Sequence, residues 1–415
     1  MKKLGFHSIL LLAISILFWS CGGGGGQTST TAGASSGTTT GVTDTEILVG
    51  SFGPLTGPAA LWGNIMKGMD AYFKMINEEG GVNGRMIKFI MKDDAYDPSR
   101  TVPAVRELVQ KDEVFAFVGG IGTAPCMSVM DYIVEENIPW ISPISGGTHW
   151  SIPLKANVFS VLPYYIDEGV IQAKYATETL KATKIGIIYQ NDDVGLSAIV
   201  GAKSVLKEKG LEFVAEVPVE PLDTDLSSHV AKLKDSGAEV VLLWTLPRQG
   251  VITVTNAKVI NYNPQFIASF ILSDMNLMHT LTKGAWEGVI FGTFAIPPYD
   301  YDDPEIKKQK AAFEKVYPDV RWGVFPSAGF VYAVPFVEAL KNLGKDVTRE
   351  GLIAEMDKLK DVDLGGGLKM SYTKDNHQAI RSMYLMKCTG SETYEKLSGY
   401  IQADSDINAL VKELH

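Results

Sequence analysis

Residues 47–91 carry the pattern that decides the fold, and they read ILVGSFGPLTGPAALWGNIMKGMDAYFKMINEEGGVNGRMIKFIM. The apolar run Ile47–Phe52 predicts a buried strand, and Pro58–Glu79 predicts a long helix that ends at Gly80-Gly81. A second apolar run, Met86–Met91, predicts the next strand. A strand, a helix and a strand of these lengths indicate a βαβ unit with parallel strands.

The same alternation continues in two series, which predict two similar parallel sheets rather than one large sheet. The first series adds helices at Ser99–Gln110 and Ala124–Glu136 and strands at Val114–Val118 and Ile138–Ile141. The second series starts after about residue 164, with strands predicted at Lys184–Tyr189, Glu212–Val217, Glu239–Trp244, Gln265–Ser269 and Gly288–Phe294 and helices between them.

The region after Phe294 predicts further helices. Asp303 and Pro304 form a helix start, because a carboxylate suits the N-cap and proline suits the first turn. We expect helices near 304–316, 327–343 and 348–360 and final strands near 368–371 and 381–387. Pro335 lies inside the second of these helices and should kink or end it.

Composition limits the class of protein. The chain has 415 residues, of which 46% are hydrophobic and 21% are charged, as in globular proteins rather than disordered ones. Beyond the first 41 residues, its length suits two lobes of about 150–200 residues. The net charge of −10 leaves no basic surface for nucleic acid, and three cysteines are too few for a disulfide scaffold.

The N-terminus predicts export. Lys2 and Lys3 precede an apolar run at Ile9–Trp19, which has the length of a signal-peptide core and is too short to span a bilayer. The stretch Leu17–Cys21 resembles a bacterial lipobox, which implies a signal peptide over residues 1–20 and a lipid on Cys21. The alternative is an ordinary secretory signal that is cut elsewhere.

Residues 21–41 predict a flexible tether, because the glycine, serine and threonine that dominate them cannot form a core. No later segment approaches 18 uninterrupted apolar residues, so we expect membrane contact only through the N-terminal anchor.

Motifs for catalysis and metal binding are missing from the sequence. The six histidines never pair at ligand spacing, and the sequence has no CxxC, HExxH or G-x-S-x-G motif. We interpret Cys126 and Cys388 as small buried hydrophobic residues. The sequence therefore predicts no enzyme, no metal and no cofactor.

Two turns have a binding and a structural interpretation. Gly119–Pro125 lacks the third glycine of a dinucleotide site and the lysine of a P-loop, but its backbone N–H groups, Thr123 as an N-cap and the following helix favour an anion. The alternative is a plain strand–turn–helix connection. Asp93–Pro98 does not match an EF-hand and is better explained as an acidic turn that ends in a helix cap.

Taken together, the body from Thr45 to beyond Tyr400 resembles type 1 periplasmic binding proteins, especially the branched-chain amino-acid receptors of ABC transporters. The segments that carry the resemblance are Gly53–Gly57, Asn77–Gly84, Asp93–Pro98, Ile141–Pro143 and Asp192–Gly195.

The resemblance implies an α/β fold of two doubly wound parallel-sheet lobes, joined by three crossings, with the ligand between them. Lobe 1 would comprise residues 45–163 plus 296–370, and lobe 2 would comprise residues 164–295 plus 371–415. The cysteine pair that some relatives have maps to Tyr96 and Gly122, so that pair is absent here.

Site residues carry over from the resemblance unevenly. The family's carboxylate-binding position falls on Thr123, which is flanked by Ile121 and Gly122. Further contacts would come from Ile144, Ser145 and Gly146. Trp62 would line the pocket. Two family tyrosines fall on Val194 and near Leu246, and the acidic partner of the ligand's ammonium falls near Phe270. Either Asp274 replaces that acid, or the ligand has no α-ammonium and lies against an apolar wall that includes Phe325.

The sequence therefore predicts an exported, lipid-anchored solute-binding protein of an ABC importer, whose partners are a small-molecule ligand and a permease. The ligand is either an apolar amino acid or a carboxylate without the amino group, and Phe270 favours the second. A sensor module of the same fold and, less favoured, an exported α/β enzyme are the alternatives.

Overall fold

The computed structural model of the chain describes residues 39–295, 297–365, 368–403 and 405–414. The predicted signal peptide, Cys21 and most of the predicted tether lie outside the described residues. No helix in these ranges is both long and apolar enough to cross a bilayer.

The first sheet is parallel, and its strands lie in the order β2-β1-β3-β4-β5. Because β1 lies between β2 and β3, the strand order reverses beside β1, and open α/β sheets bind ligands at the carboxyl ends of strands at such a point. The elements of this part are β1 (Glu46–Gly53), α1 (Gly63–Glu78), β2 (Met86–Asp93), α2 (Pro98–Gln110), β3 (Ala116–Val118), α3 (Thr123–Glu135), β4 (Trp140–Ile141), β5 (Val158–Phe159) and α4 (Tyr165–Lys174).

The second sheet has a parallel core in the order β7-β6-β8-β9-β10, whose reversal lies at β6. Its elements are β6 (Ile185–Gln190), α5 (Asp193–Glu208), β7 (Ala215–Val219), α6 (Ser227–Asp235), β8 (Val240–Trp244), α7 (Pro247–Val259), β9 (Gln265–Ala268), α8 (Met275–Leu281) and β10 (Ile290–Thr293).

The remaining chain contributes to both sides. The antiparallel strand β13 extends the second sheet beside β10 and pairs with β14 and β15. These last elements are α9 (Pro304–Val316), α10 (Val324–Leu343), α11 (Arg349–Met356), β11 (Val362–Asp363), β12 (Lys369–Met370), β13 (Ser382–Cys388), β14 (Tyr394–Lys396), β15 (Ile401–Gln402) and α12 (Ile407–Leu414).

The backbones of α1 and α10 touch at two glycines, Gly68 and Gly329, where no larger residue fits. A Cβ atom on Gly68 would lie 2.0 Å from the Pro326 carbonyl oxygen, and one on Gly329 would lie 2.2 Å from the Ile65 carbonyl oxygen. Both contacts are with backbone, so only glycine fits. This crossing fixes the ends of α1 and α10 that face the second sheet.

Two of the segments that connect the sheets run side by side. Ser160 accepts a hydrogen bond from Ala379 N at 2.9 Å, and its own N–H donates to the His377 carbonyl oxygen at 2.8 Å. The His377 ring stacks on Phe159 with centroids 4.0 Å apart. The connection is therefore a hydrogen-bonded ribbon rather than separate single strands.

The predicted α/β architecture with two parallel sheets is confirmed. Asp303 caps α9 by accepting hydrogen bonds from Glu305 N at 2.8 Å and Ile306 N at 3.0 Å, as predicted. Asp97 caps α2 by accepting from Ser99 N, which confirms the structural interpretation of the acidic turn. Pro335 lies within α10 and does not end it.

Three predictions about local structure were wrong or incomplete. Helix α4 was not predicted, because every residue from Tyr165 to Ala173 is buried and no amphipathic period marks it. The short C-terminal helix α12 was also missed. The strand predicted at Glu212–Val217 is β7, Ala215–Val219, since an exposed turn after α5 takes up the preceding residues.

We expect Gly329→Ala to lower the free energy of unfolding by about 1–3 kcal/mol or more, because the added methyl group overlaps backbone atoms of α1. The matched control is Gly250→Ala in α7, where the nearest atoms, 3.2 Å away, are the flexible ends of Leu272 and Met278. The control should change stability by no more than about 1 kcal/mol. Urea unfolding measures both, and equal effects would contradict the helix-crossing argument.

Candidate functional site

A cavity of about 430 Å³ lies between the carboxyl ends of the two sheets. Its inner wall is formed by residues at or after the ends of β1 to β5, β9 and β10, together with the start of α4 and the first half of α10. The residues of this inner wall are Trp62, Tyr96, Ile121, Gly122, Ile144, Leu162, Tyr165, Phe270, Ile271, Thr293, Phe294, Phe325 and Tyr332. Most of these side chains are apolar or aromatic, so the cavity suits a ligand with a large apolar body.

The glycine loop after β3 brings the backbone close to the cavity. Gly119, Gly120 and Gly122 all have positive φ values, of 89°, 89° and 98°. A Cβ atom on Gly122 would lie 2.2 Å from the Tyr96 ring, so Gly122 is required by the aromatic residue beside it. The two positions to which the resemblance assigns a cysteine pair thus hold a tyrosine ring packed on a glycine.

Thr123 does not cap α3, which corrects the sequence prediction. The N-cap is Gly122, and the Thr123 hydroxyl pairs instead with the Ser145 hydroxyl at 2.7 Å. Ser145 also accepts a hydrogen bond from Gly147 N at 3.1 Å. Thr123, Ser145 and Gly146 are brought together but lie behind the cavity wall, whereas Ile121 and Ile144 line it. Their predicted role in binding a carboxylate stays a prediction.

Tyr165 separates this polar group from the cavity, and sequence reasoning missed it. Burial raises the pKa of its phenol to about 12, although hydrogen bonds from Gly146 N–H, Ser145 and Thr123 favour the ionised form. The Tyr165 ring stacks on Phe270 with centroids 5.6 Å apart and an angle of 22°. Tyr165 is the first residue of α4. Because this helix is buried on all sides, it has no amphipathic pattern by which the sequence could predict it.

The other aromatic residues continue this wall. Trp62 packs against Tyr96 at 5.6 Å between centroids, and Phe294 lies between Phe270 at 5.8 Å and Tyr332 at 6.3 Å. Trp62, Phe270 and Phe325 therefore line the cavity. For Tyr96 and Phe294, the sequence shows only that each follows a predicted strand. That position does not tell in which direction the side chain points.

Val194 and Leu246 are absent from the lining of this cavity, and their predicted role in ligand binding stays a prediction. Val194 is buried in the first turn of α5, and Leu246 is the fully buried N-cap residue of α7. Both positions follow strands of the second sheet, so position after a strand does not by itself bring a side chain to the cavity.

The acidic group nearest Phe270 is Glu168, and its carboxylate is bonded within the protein. It accepts hydrogen bonds from Phe270 N at 2.7 Å, Ser269 Oγ at 2.7 Å and Gln172 Nε2 at 3.1 Å. Burial nevertheless raises the pKa of Glu168 to about 8. Glu168 therefore fixes the backbone of Phe270 rather than presenting a charge to the cavity.

Asp274, the alternative partner for an ammonium, is also engaged elsewhere. Its carboxylate accepts from Leu277 N at 3.3 Å, where it caps α8, and from Phe325 N at 2.9 Å at the start of α10. Burial raises its pKa. Asp274 is absent from the cavity lining, and it joins the end of the second sheet to the helix that packs on the first.

Further hydrogen bonds cross the cleft. The Trp62 indole donates to the Ile271 carbonyl oxygen at 3.1 Å, and the Gln190 amide donates to the Tyr96 phenol at 3.1 Å. His149 Nε2 lies 2.9 Å from an Asp193 carboxylate oxygen. With the Asp274 contact, these bonds join the two sides of the cleft.

Within the described ranges, no group of three or more histidine, cysteine, aspartate or glutamate side chains is placed to hold a metal. Cys126 and Cys388 are free and fully buried, which confirms their interpretation as small core residues. Burial raises the pKa of both thiols.

Glu168 predicts a pH dependence of stability. Its pKa is higher in the folded chain, about 8, than its ordinary value of 4.5, so its contribution to stability is fully present below pH 4.5 and is lost as the pH rises through 8. We expect Glu168→Gln, which keeps an uncharged acceptor, to remove a decline of about 2–4 kcal/mol between those pH values. Urea unfolding from pH 4.5 to 8.5 measures this slope.

The control is Glu212→Gln, at an exposed position, which should keep the wild-type slope. An unchanged slope in Glu168→Gln would show that Glu168 is ionised in the folded protein throughout this range.

Comparison with known proteins adds the family to this geometry. The sequence profile described as "Periplasmic binding protein" matches residues 46–393. The Leu/Ile/Val-binding protein homolog 3 of Brucella melitensis is 29% identical over 197 residues, which cover 47% of this chain and only 53% of that relative. The homolog 1 of Brucella abortus is 26% identical over 304 residues, which cover 72% of this chain and 78% of that relative.

Solved structures share the fold. A fatty acid ABC transporter substrate-binding protein from Thermomonospora curvata is 27% identical with a TM-score of 0.78, covering 90% of this chain and 95% of its own. A branched chain amino acid ABC transporter protein from Thermus thermophilus with bound valine is 19% identical with a TM-score of 0.79, covering 90% of this chain and 100% of its own. Since the family profile spans most of the described residues and both sheets, this chain belongs to the periplasmic binding protein family, with the type 1 fold of the branched-chain amino-acid-binding proteins.

Proposed function

We propose that this chain is the solute-binding component of an ABC importer and that it closes around a small carboxylate with a large apolar body. The observation that carries the proposal is the cavity of about 430 Å³, whose lining includes Phe270 and other aromatic side chains but neither Glu168 nor Asp274. This volume lies within the roughly 300–1,000 Å³ of pockets that bury whole small ligands.

The relatives support the coarse part of this proposal. Two of them are called Leu/Ile/Val-binding protein homologs, and one is called a fatty acid ABC transporter substrate-binding protein. Their names cover ligands with and without an α-ammonium, so the ligand class of this chain has to be argued from its own cavity.

The cavity favours a ligand without an ammonium. Glu168 and Asp274 are the buried carboxylates on the second-sheet side of the cleft nearest Phe270, and both are engaged by backbone N–H groups. An ammonium against Phe270 would lose its hydration without gaining an ionic partner, at a cost of several kcal/mol. A carboxylate with an aliphatic or aromatic body avoids that cost.

Closure would be a rotation of two lobes, which we assign to residues 45–163 plus 296–370 and residues 164–295 plus 371–415. The connecting ribbon at Ser160 and Gln378 lies between the two sheets, where a hinge is required. The closed form would then dock on a permease. We infer no covalent chemistry, because burial raises the pKa of both thiols in the described chain.

Family membership supports a location outside the cytoplasm, and the N-terminus supports an anchor there. In this proposal, Cys21 carries the lipid and residues 22–41 form the tether. A flexible coil of about 20 residues reaches roughly 25 Å, enough to let the body meet a permease in the same membrane.

We expect carboxylates without an amino group to stabilise the full chain and their matched amino acids not to do so. The matched pairs are 4-methylpentanoate with leucine and 3-phenylpropanoate with phenylalanine, each measured by thermal shift. A ligand at 100 times its dissociation constant should add about 2.7 kcal/mol of stability. Stabilisation by the amino acids alone would contradict the argument from Phe270 and require an ammonium partner.

The matched variant is Phe270→Glu, which should gain leucine binding if Phe270 faces the α-carbon of the ligand. Phe270→Leu is its control and should not gain it. Solution scattering gives the test of the coarser proposal, since the absence of ligand-induced compaction across a broad metabolite panel would count heavily against a solute-binding protein.

We also expect Cys21→Ser to abolish lipid attachment. The mature chain should lose the mass of the acyl groups and move from the detergent phase to the aqueous phase, as measured by mass spectrometry and detergent partitioning. An unmodified Cys21 in the wild-type mature chain would favour the alternative of an ordinary secretory signal.

A further inference from the structure

The cavity is larger than an amino acid requires. An apolar protein cavity of about 150 Å³ holds benzene, which has six heavy atoms, so on the same scale this cavity of about 430 Å³ has room for about 17 heavy atoms. Leucine has nine heavy atoms and would leave about half of the space unfilled. Because protein interiors are packed without voids of that size, the volume indicates a longer ligand.

The additional space lies beyond the aromatic inner wall, on an adjoining side of α10. Phe325 and Tyr332 belong to the inner wall, and a separation of seven residues places them on one strip of the helix. Val324, Ala328 and Val331 also line the cavity, and separations of four and three residues place them on the neighbouring strip. The cavity therefore continues from one strip of α10 to the next.

Helix α9 packs beside α10 and contributes to the same part of the cavity. Ile306 and Gln309, which are three residues apart on one face of α9, are both lining residues. We call the space lined by Ile306, Gln309, Val324, Ala328 and Val331 the outer passage. Most of these side chains are apolar, and all but Val331 are partly exposed, whereas the inner wall is buried. The outer passage therefore leads from the inner wall towards solvent.

Ala328 has the smallest side chain of the outer passage. It lies between Val324 and Val331 on the same strip of α10, about one turn from each. A larger side chain at this position would occupy the space that now continues past the inner wall, and a filled space does not admit further ligand atoms. The longest ligand that fits is therefore decided at Ala328.

The outer end of the cavity is acidic. Asp300, Asp303 and Glu305 are exposed lining residues at the start of α9. A carboxylate at this end of a ligand would lie beside like charges, which disfavours it. The acidic rim therefore favours an uncharged ligand end on this side.

We propose that the ligand is an elongated monocarboxylate whose apolar chain extends from the inner wall into the outer passage, and that Ala328 sets the longest chain that fits. Its carboxylate end lies at the inner wall and its uncharged end at the acidic rim. This inference rests on the proposed function and deepens it by naming the size class of the ligand and the residue that determines it.

The first test measures binding of hexanoate, octanoate and decanoate to the full chain by calorimetry. Each CH₂ group that enters an apolar cavity should tighten binding about threefold, so the affinity should rise about tenfold at each step of the series. Decanedioate should bind at least about tenfold more weakly than decanoate, because its second carboxylate reaches the acidic rim.

The second test blocks the outer passage with Ala328→Phe. This variant should weaken decanoate about 10- to 100-fold and leave hexanoate, which ends at the inner wall, within about twofold of wild type. The matched control is Ala311→Phe, at an exposed position of α9 outside the cavity lining, which should leave both affinities unchanged. Thermal melting checks that the variants are folded, and Ala328→Leu replaces Ala328→Phe if the ring prevents folding.

The outcomes separate the two proposals. If hexanoate binds and decanoate binds no more tightly, the outer passage holds no part of the ligand and this inference is wrong, whereas the proposed function stands. Equal weakening of hexanoate and decanoate by Ala328→Phe would also overturn it, because a blocked passage affects only the longer chain. Equal binding of decanoate and decanedioate would contradict the orientation. If the wild-type chain binds neither these carboxylates nor 4-methylpentanoate, the proposed ligand class fails and this inference fails with it.

Discussion

The backbone contact between α1 and α10 is the constraint on which the cavity depends. At Gly68 and Gly329 the two helices meet without intervening side chains, so their relative position is set by backbone atoms that have no freedom to repack. The turn before α1 carries Trp62, and α10 carries Phe325 and Tyr332. One crossing point therefore helps to fix three of the seven aromatic residues of the wall, and Phe270 and Phe294 are supplied by the loops after strands of the second sheet.

The second determinant is the pairing of buried polar groups. Glu168 binds the backbone of Phe270 from behind, and Asp274 binds the first turn of α10. Each carboxylate is satisfied by N–H donors of the protein, so neither contributes its charge to the cavity. The wall between them is consequently apolar and aromatic apart from a few polar groups.

Much of the fold could be predicted from the sequence, because strands such as Ile185–Gln190 are short apolar runs between clear helix signals. The helix caps at Asp97 and Asp303 could also be predicted, because an aspartate followed by proline is a typical helix start. Helix α4 was not visible, because a helix buried on all sides has no period to detect.

The site was harder to predict for the same physical reason. Trp62, Ile121 and Phe270 line the cavity, whereas Val194 and Leu246 also follow strands but are buried and absent from the lining. Which side chain reaches the cavity depends on the volume of its neighbours, and that information is absent from a single chain segment.

The hydrogen bonds that cross the cleft outside the cavity have a consequence for how tightly any ligand is held. His149 with Asp193, and Asp274 with Phe325, favour the closed arrangement whether or not the cavity is filled. In the proposed closure mechanism these contacts would raise the fraction of empty molecules in the closed form, and an apparent dissociation constant equals the intrinsic constant divided by that fraction. Such contacts multiply the affinity for every ligand by one common factor and leave the ratio between ligands unchanged. Under that mechanism, affinity and choice of solute would be set by separate groups of residues.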